Sequence, residues 1–450
     1  MSAPPTIYVD DLIDQQKLNP RSIFVLGLLL VALLCDGFDL QVLAFAAPGF
    51  VRDWGIERST LGPVFSANLF GMMCGAIGFG YVGDRFGRKR IIVIGTILYS
   101  VACLSCLLAN DLWQLGALRF MTGLGLGGVL PNVIALTAEI SPRRRRAMLT
   151  SIVVIGMSLG SSMPSLVATQ LVPTYGWQVL FVVGGVVPLV IAVILAFALP
   201  ESLLFLVHRG AHRALLEKRV RQIDPQLAIT PDTQFALRGA ATQKSSGVRQ
   251  LFQGDMAVTT PMLWLMFAGV LLSMHFVNSW ISVLLEEAGL PAAQAAWING
   301  LLHFGGSVAA VCTALLLGRL GLYWVLTLLV LGLCGLLTVA TTGFGSIPVL
   351  TFAVGLAGFG IIGCQTALNA SAGLIYPVSC RPTGVGAALG VGRIGSLSGP
   401  LVGGYFLATG LLTQHMFFVP MVPLGLACIA TLVLVLRRVD IRNEGGGLAH

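Results

Sequence analysis

Asp36 and Asp39 stand three residues apart in Ser22–Ala47, a stretch with no other charge, and Arg119 and Arg393 are likewise set into long apolar stretches. If those stretches are helical, residues at i and i+3 share one face, so the two carboxylates sit side by side. Two acids in a low-dielectric cleft resist simultaneous ionisation, which leaves one of them able to take up and release a proton. A guanidinium keeps its charge and grips a carboxylate through two parallel hydrogen bonds, so Arg119 and Arg393 are candidates to hold either an aspartate or a small anion. Two acids and two bases can also neutralise one another, and a static buried ion-pair set is the competing reading. His275 and His303 offer further proton relays or plain packing. Asn278, Asn299, Gln365 and Asn369 offer polar cavity linings or helix–helix hydrogen bonds. Phe70, Trp280 and Trp297 are read as core or interface residues, and Phe38, between the two acids, is the aromatic candidate for contact with a ligand. The candidate binding set is therefore Arg393, Arg119, Phe38, His303 and Asn278, with Asp36 and Asp39 as the proton-coupling pair.

The elements that position these side chains follow from composition. Of 450 residues, 56% are hydrophobic and 10% charged, against about 25% charged in a soluble chain. With a mean hydropathy of +0.88, most of the chain needs lipid as its solvent, which excludes a soluble enzyme or a nucleic-acid binder. A helix needs about 20 residues to cross the hydrocarbon layer. Charge-free runs such as Ser59–Gly83, Ile91–Asn110 and Met256–Leu285 each hold one span, whereas Ala147–Pro200 and Leu320–Cys380 hold two each, broken near Pro173–Trp177 and Gly343–Ser346. The tally is twelve transmembrane helices, an all-α membrane fold, because open sheet edges cannot be satisfied in lipid. Of 27 basic residues, 23 fall on one face of this arrangement, Arg52 and Arg58 lie on the other, and Arg119 and Arg393 fall inside spans. That bias places both termini and the central loop in the cytoplasm. Residues before the first span carry Asp10, Asp11, Asp14, Lys17 and Arg21, unlike a cleaved signal peptide. The nine cysteines avoid the outer loops, so no disulfide is expected, and Cys103-x-x-Cys106 reads as helix packing rather than a metal site. Gly123, Gly125 and Gly128 spell G-x-G-x-x-G, but inside a span with no preceding strand they speak for close helix packing, not dinucleotide binding.

The chain divides into a six-helix bundle over 1–200, a polar cytoplasmic loop over 201–255, and a second six-helix bundle with a tail over 256–450. Internal echoes support a duplication. Ile140, Pro142 and Arg146 repeat as Ile375, Pro377 and Arg381 at an offset of 235, Pro164 and Pro400 pair at 236, and Arg85 and Gly87 find worn counterparts in Arg319 and Gly321. Parallel six-helix repeats are a transporter plan, with the binding site between the halves.

The turn after the second span reads Gly80-Tyr-Val-Gly83-Asp84-Arg85-Phe-Gly87-Arg88-Lys89-Arg90. This G-x-x-x-D-R-x-G-R-K pattern resembles the signature of the major facilitator superfamily. By that resemblance Gly83, Asp84, Arg85, Gly87 and Arg88 belong to a gating latch, and the fold is two pseudo-symmetric six-helix bundles. Within the superfamily, Asp36-Gly37-Phe38-Asp39, the run Arg119–Gly128, Pro200-Glu-Ser202, and Tyr376-Pro377 through Gly392-Arg393-Ile-Gly395 and Gly399-Pro400 are similar to the aromatic acid:proton symporters. The resemblance implies that Asp36 and Asp39 are required for transport and that the substrate is a benzoate-like carboxylate entering with a proton. The chain departs from the pattern at Ala387, where a tryptophan is expected, and around Arg319, which has no acid beside it.

The expectation is thus a monomeric, multi-pass protein of the bacterial inner membrane. It would import a small aromatic carboxylate by alternating access, with protons as coupling ion and with no other cofactor, no metal and no nucleic-acid partner. Arg393 is the preferred carboxylate ligand, since it lies in the opposite half from the acids, and Arg119 is the alternative. A proton-coupled exporter is the nearest rival, although Ser161-Ser-Met-Pro164 lacks the glycines exporters carry there. A receptor signalling through 201–255 is the second. A membrane hydrolase lacks H-E-x-x-H and a nucleophile with its base.

Overall fold

The structure is a computed structural model and describes residues 6–16, 18–209, 213–223, 227, 233–236, 251–377, 380–437 and 439. Twelve of its helices are long and apolar enough to cross a membrane. In chain order they are α1 (Pro20–Trp54), α2 (Leu61–Phe86), α3 (Arg88–Ser105), α4 (Leu112–Ile140), α5 (Arg146–Gln170) and α6 (Gln178–Ala198), then α7 (Met256–Glu287), α8 (Ala292–Leu320), α9 (Leu322–Thr342), α10 (Ile347–Ile375), α11 (Arg381–Ala408) and α12 (Met421–Leu436). The double-length runs break where proline and glycine demand it: α5 and α6 are parted at Gly176, with φ of 76°, and α9 and α10 at Gly343, with φ of 63°. The start of α1 is fixed by Asn19, whose side chain accepts the Ser22 N–H at 2.7 Å, followed by Pro20 in the first turn. The start of α4 is fixed by Asp111, which accepts from the Gln114 N–H at 2.7 Å.

Small residues let the helices pair closely, and both halves pair them alike. A side chain on Gly123 or Gly127 of α4 would run into the carbonyls of Asn68 and Met72 on α2, and Gly71 and Gly75 of α2 return the fit against Phe120 and Leu124. The counterpart in the second half is Gly358 of α10 against Leu302 of α8. Likewise α1 packs on α5 through Gly37 and Gly160, and α7 packs on α11 through Gly395 and Gly399. The offset that pairs Arg146 with Arg381 is also visible in space. Each begins its helix, α5 or α11, and each turns its Nε back onto a carbonyl of the preceding turn, Ala138 at 2.9 Å and Tyr376 at 3.1 Å.

We call the end of the bundle that carries Arg85–Arg90, Arg143–Arg146, the start of α1 and the end of α12 the basic end. The two halves touch at the opposite end. Ser66 of α2 donates to the Leu397 carbonyl of α11 at 2.9 Å, Gly62 abuts the Pro400 carbonyl, and Phe65 packs edge-on to Trp280 at 5.6 Å. Arg58 and Glu287 close the same end with an ion pair at 2.5 Å.

The stretch 201–255 is not featureless. Helices Leu203–His208 and Arg213–Ile223 and the N-terminal helix Val9–Gln15 enclose a small apolar cluster of Val9, Ile13, Leu203, Leu206, Leu216 and Val220. Beside it, strands β1 (Thr6–Tyr8) and β2 (Gln234–Ala236) pair in parallel. This cap is tied to the first half by Asp14 and Arg146 at 2.6 Å. Most of 224–250, and the tail after Val439, lie outside the described residues.

Candidate functional site

α1 carries Asp36 and Asp39 at middle depth, with their side chains turned into the first half. Asp39 and Arg119 of α4 are completely buried, and the Arg119 Nη1 stands 3.6 Å from the Asp39 Oδ2. Arg119 is held from two further sides. Its Nη2 reaches the Cys106 sulfur at 3.3 Å, and its guanidinium lies 5.1 Å from the Phe181 ring centre on α6, a cation–π contact. Cys103, one turn back on α3, lies beside Asp39 and donates to the Phe181 carbonyl at 3.7 Å. Asp36 faces the buried Tyr99 hydroxyl, also on α3.

Charge arithmetic gives this cluster its chemistry. Two carboxylates and one guanidinium carry a net charge of −1, and one added proton makes the enclosure neutral. Neither oxygen of Asp36 or of Asp39 completes a hydrogen bond, and neither does the Tyr99 hydroxyl. An unneutralised carboxylate charge is expensive in a low-dielectric site, and the cluster's chemistry suits it to take up a proton.

Arg393 belongs to a different neighbourhood. It lies on the α11 face that carries Leu397, Pro400 and Gly404, the residues that meet α2, but one turn nearer the basic end than the last of those contacts. Its titratable neighbour is His275 of α7, and among the described residues it has no acidic partner. The structure therefore brings Asp36, Asp39 and Arg119 together and keeps Arg393 apart from them. Phe38 is buried against Gly184 of α6, on the first half's interior. Asn278 and His303 are buried in the second half, on α7 and α8.

At the basic end, Gly87 takes a φ of 99° to turn α2 into α3, and a side chain there would meet the Glu201 carboxylate. Arg88 forms an ion pair with Glu139 at the end of α4, and the Lys89 N–H donates to Glu201 Oε1 at 3.1 Å. Arg209, from the cap, donates to the Arg85 carbonyl. Gly83 packs against the Asn132 side chain of α4. The side chain of Asp84 lies outside the described residues. The sequence does not single out Glu139 or Tyr99 and offers Cys106 only as a helix-packing residue; the packing alone assigns each of them its neighbour.

Similarity to known proteins bears on what such a site serves. The Major Facilitator Superfamily profile matches residues 29–372. The chain is 34% identical to the gallate transporter of Pseudomonas putida over 439 residues, 96% of each protein. It is 35% identical to the 4-hydroxybenzoate transporter PcaK of Pseudomonas aeruginosa, covering 94% of this chain and 95% of that one, and 30% identical to the benzoate transport protein of Acinetobacter baylyi, covering 96% and 93%. Among solved structures, the fold matches the inward-open xylose transporter XylE of E. coli with a TM-score of 0.67 at 15% identity, over 92% of this chain and 95% of that one. The inward-facing, unoccupied bacterial homologue of the lysosomal transporter Spinster matches with 0.63 at 16% identity, over 95% and 97%. Two like-built six-helix sets, a glycine-hinged basic turn after the second span, and a profile match over most of the length make this chain a member of the Major Facilitator Superfamily, a transporter and not an enzyme.

Proposed function

We propose that this protein imports small aromatic carboxylates across the bacterial inner membrane together with protons. The observation that carries the reading is the enclosed Asp36, Asp39 and Arg119 cluster, one proton short of neutrality, in a chain whose relatives of similar length transport gallate, 4-hydroxybenzoate and benzoate. A proton neutralises the first half's cluster. A carboxylate neutralises Arg393, the acid-free cation of the second half. With both sites neutral, the charge penalty for moving the helices through low dielectric is lowest, so the fully loaded carrier reorients most readily. By the positive-inside rule the basic end is cytoplasmic, and the touching ends of α2, α7 and α11 then close the outer side. Arg85, Gly87 and Arg88 act at the inner seam, where the Arg88–Glu139 and Lys89–Glu201 contacts hold the first half's helix ends together. The monomer is the transporting unit.

The test is uptake of radiolabelled 4-hydroxybenzoate into vesicles holding the purified protein, with an inward proton gradient imposed. Accumulation above equilibrium, abolished by a protonophore, is expected. Accumulation that persists at full size without a proton gradient would overturn the coupling, and efflux-only activity would overturn the direction.

A further inference from the structure

Helices α7 and α8 run antiparallel, and the hydrogen bond from the Asn299 amide to the Ser282 hydroxyl, 2.7 Å, sets their register. One turn nearer the basic end on each helix, four residues before Ser282 and four after Asn299, stand Asn278 and His303. All four side chains are buried, none more than 4% exposed. Yet the Oδ1 of Asn278, the Oδ1 of Asn299 and the Nε2 of His303 have no hydrogen-bond partner. A buried polar atom left unsatisfied is destabilising, because it gives up its water without gaining a partner. A seam whose only task was to hold α7 against α8 would pair these atoms with one another, as it pairs Asn299 with Ser282. Three orphaned groups in one seam point to a ligand.

The seam borders the interface between the two halves. Gly300, next to Asn299, sits so close to α5 of the first half that a side chain on it would overlap the Ser165 hydroxyl. Ser282, Glu286 and Ala296 line a crevice together with Phe45, Gly49, Arg52 and Ala168 of the first half, its two charged groups lying on the side away from Asn278 and His303 in sequence order. The seam therefore borders the surface that alternating access opens and closes. Its chemistry selects the group it takes. Among the described residues no charged side chain acts on His303, and the two amides present acceptor oxygens without donors. A carboxylate, which only accepts, gains nothing from the two amide oxygens, whereas a hydroxyl donates to either one.

We infer that the Asn278, Ser282, Asn299 and His303 seam recognises a hydroxyl group on the substrate's aromatic ring, and that it makes the transporter selective for hydroxylated over unsubstituted aromatic acids. This rests on the aromatic-acid reading above and deepens it. Discrimination of this kind is large, because a site built to hydrogen-bond a hydroxyl loses that bond and strands its own polar groups when the hydroxyl is missing.

The experiment is equilibrium binding of 4-hydroxybenzoate and of benzoate to the purified full-length protein, for the wild type and for Asn278→Ala, Asn278→Ser, Asn299→Ala and His303→Gln, with the melting temperature of each. The wild type is expected to prefer 4-hydroxybenzoate, and Asn278→Ala and Asn299→Ala to weaken it about tenfold while benzoate binding holds. Asn278→Ser and His303→Gln keep a small polar group and are expected to retain part of the preference in a well-folded protein. A wild type without preference, or variants that weaken both acids in parallel as the melting temperature falls, would overturn the inference. Binding of neither acid overturns the aromatic-acid reading itself, whereas binding of both without discrimination sinks only the hydroxyl seam.

Discussion

The two halves share a helix-pairing plan but not a charge plan. In the first, α1, α3 and α4 enclose two acids and a base, with Asp39 and Arg119 3.6 Å apart and fully buried and Asp36 facing Tyr99. In the second, the membrane-embedded charge is Arg393, half-buried beside His275 and without an acid among the described residues, while the α7–α8 seam is neutral amide, hydroxyl and imidazole. The same two-half plan has thus been filled with different electrostatics: the first half encloses two acids and one base, and the second holds an arginine with no acid beside it among the described residues. On the reading proposed above, coupling needs no direct contact between proton site and substrate site. Each half becomes neutral with its own ligand, and the membrane's low dielectric does the comparing.

The largest expected effect breaks the first half. Asp39→Asn is expected to abolish proton-driven accumulation while leaving exchange of substrate across the membrane. It also strands Arg119 in a dry interior, and removing one partner of a buried pair costs about 3–5 kcal/mol, so the melting temperature should fall. Adding Arg119→Gln should recover part of that loss. Simple additivity of the two substitutions would show that the pair is not energetically coupled, and accumulation intact in both Asp36→Asn and Asp39→Asn would remove the proton from the first half altogether.

In the second half the expected loss is affinity without stability. Arg393→Lys keeps the charge but gives up the planar fork, so carboxylate binding should weaken about tenfold. The melting temperature should hold, because no acid among the described residues is left unpaired. Unchanged affinity would move the carboxylate to Arg119 and erase the division of labour between the halves.

Much of this was legible in the sequence, for physical reasons that also set the limit. Charge is so costly in lipid that Asp36, Asp39, Arg119 and Arg393 announce themselves by depth alone. Gly176 and Gly343 mark the breaks in the two double-length runs because a chain must turn there. Arg146 and Arg381 mark matching helix starts. Which base meets which acid was not legible. Depth places Arg119 and Arg393 alike, and only the rotation of α4 about its axis brings Arg119 to Asp39. Nor did the sequence distinguish Tyr99 on α3, or Cys106 just beyond its end, from ordinary packing residues. The pairing of Thr6–Tyr8 with Gln234–Ala236 joins two three-residue strands more than two hundred positions apart, too short to carry an alternating pattern.

Smaller effects sharpen the contrast at the basic end. Arg88 meets Glu139 beside the Gly87 turn, while the second-half turn at Gly321 offers Arg319 with no acid next to it in sequence. Arg88→Ala is expected to slow transport several-fold with substrate affinity kept, and Arg319→Ala to change the rate far less. Equal losses would mean that the two turns gate symmetrically despite their different charges, and would be read from initial rates at saturating substrate.

The smallest effect lies at the end where the halves touch. Arg58 and Glu287 sit on different halves, both about a third exposed, so water screens their attraction and the pair is worth about 0–1 kcal/mol. Glu287→Gln should therefore leave the fold intact and shift only the balance between the two orientations, toward the one in which this end is open. Because both reorientations feel that bias, the change should favour the step that opens the Arg58 end and slow its reverse by a matching factor, and high salt should mimic the substitution in the wild type. Labelling of a cysteine placed at Ser59, beside the Gly404 contact, reads the open fraction directly. If labelling does not rise in Glu287→Gln, the ion pair contributes nothing to closure, and the packing of Gly62 on Pro400 and of Phe65 on Trp280 holds that end alone.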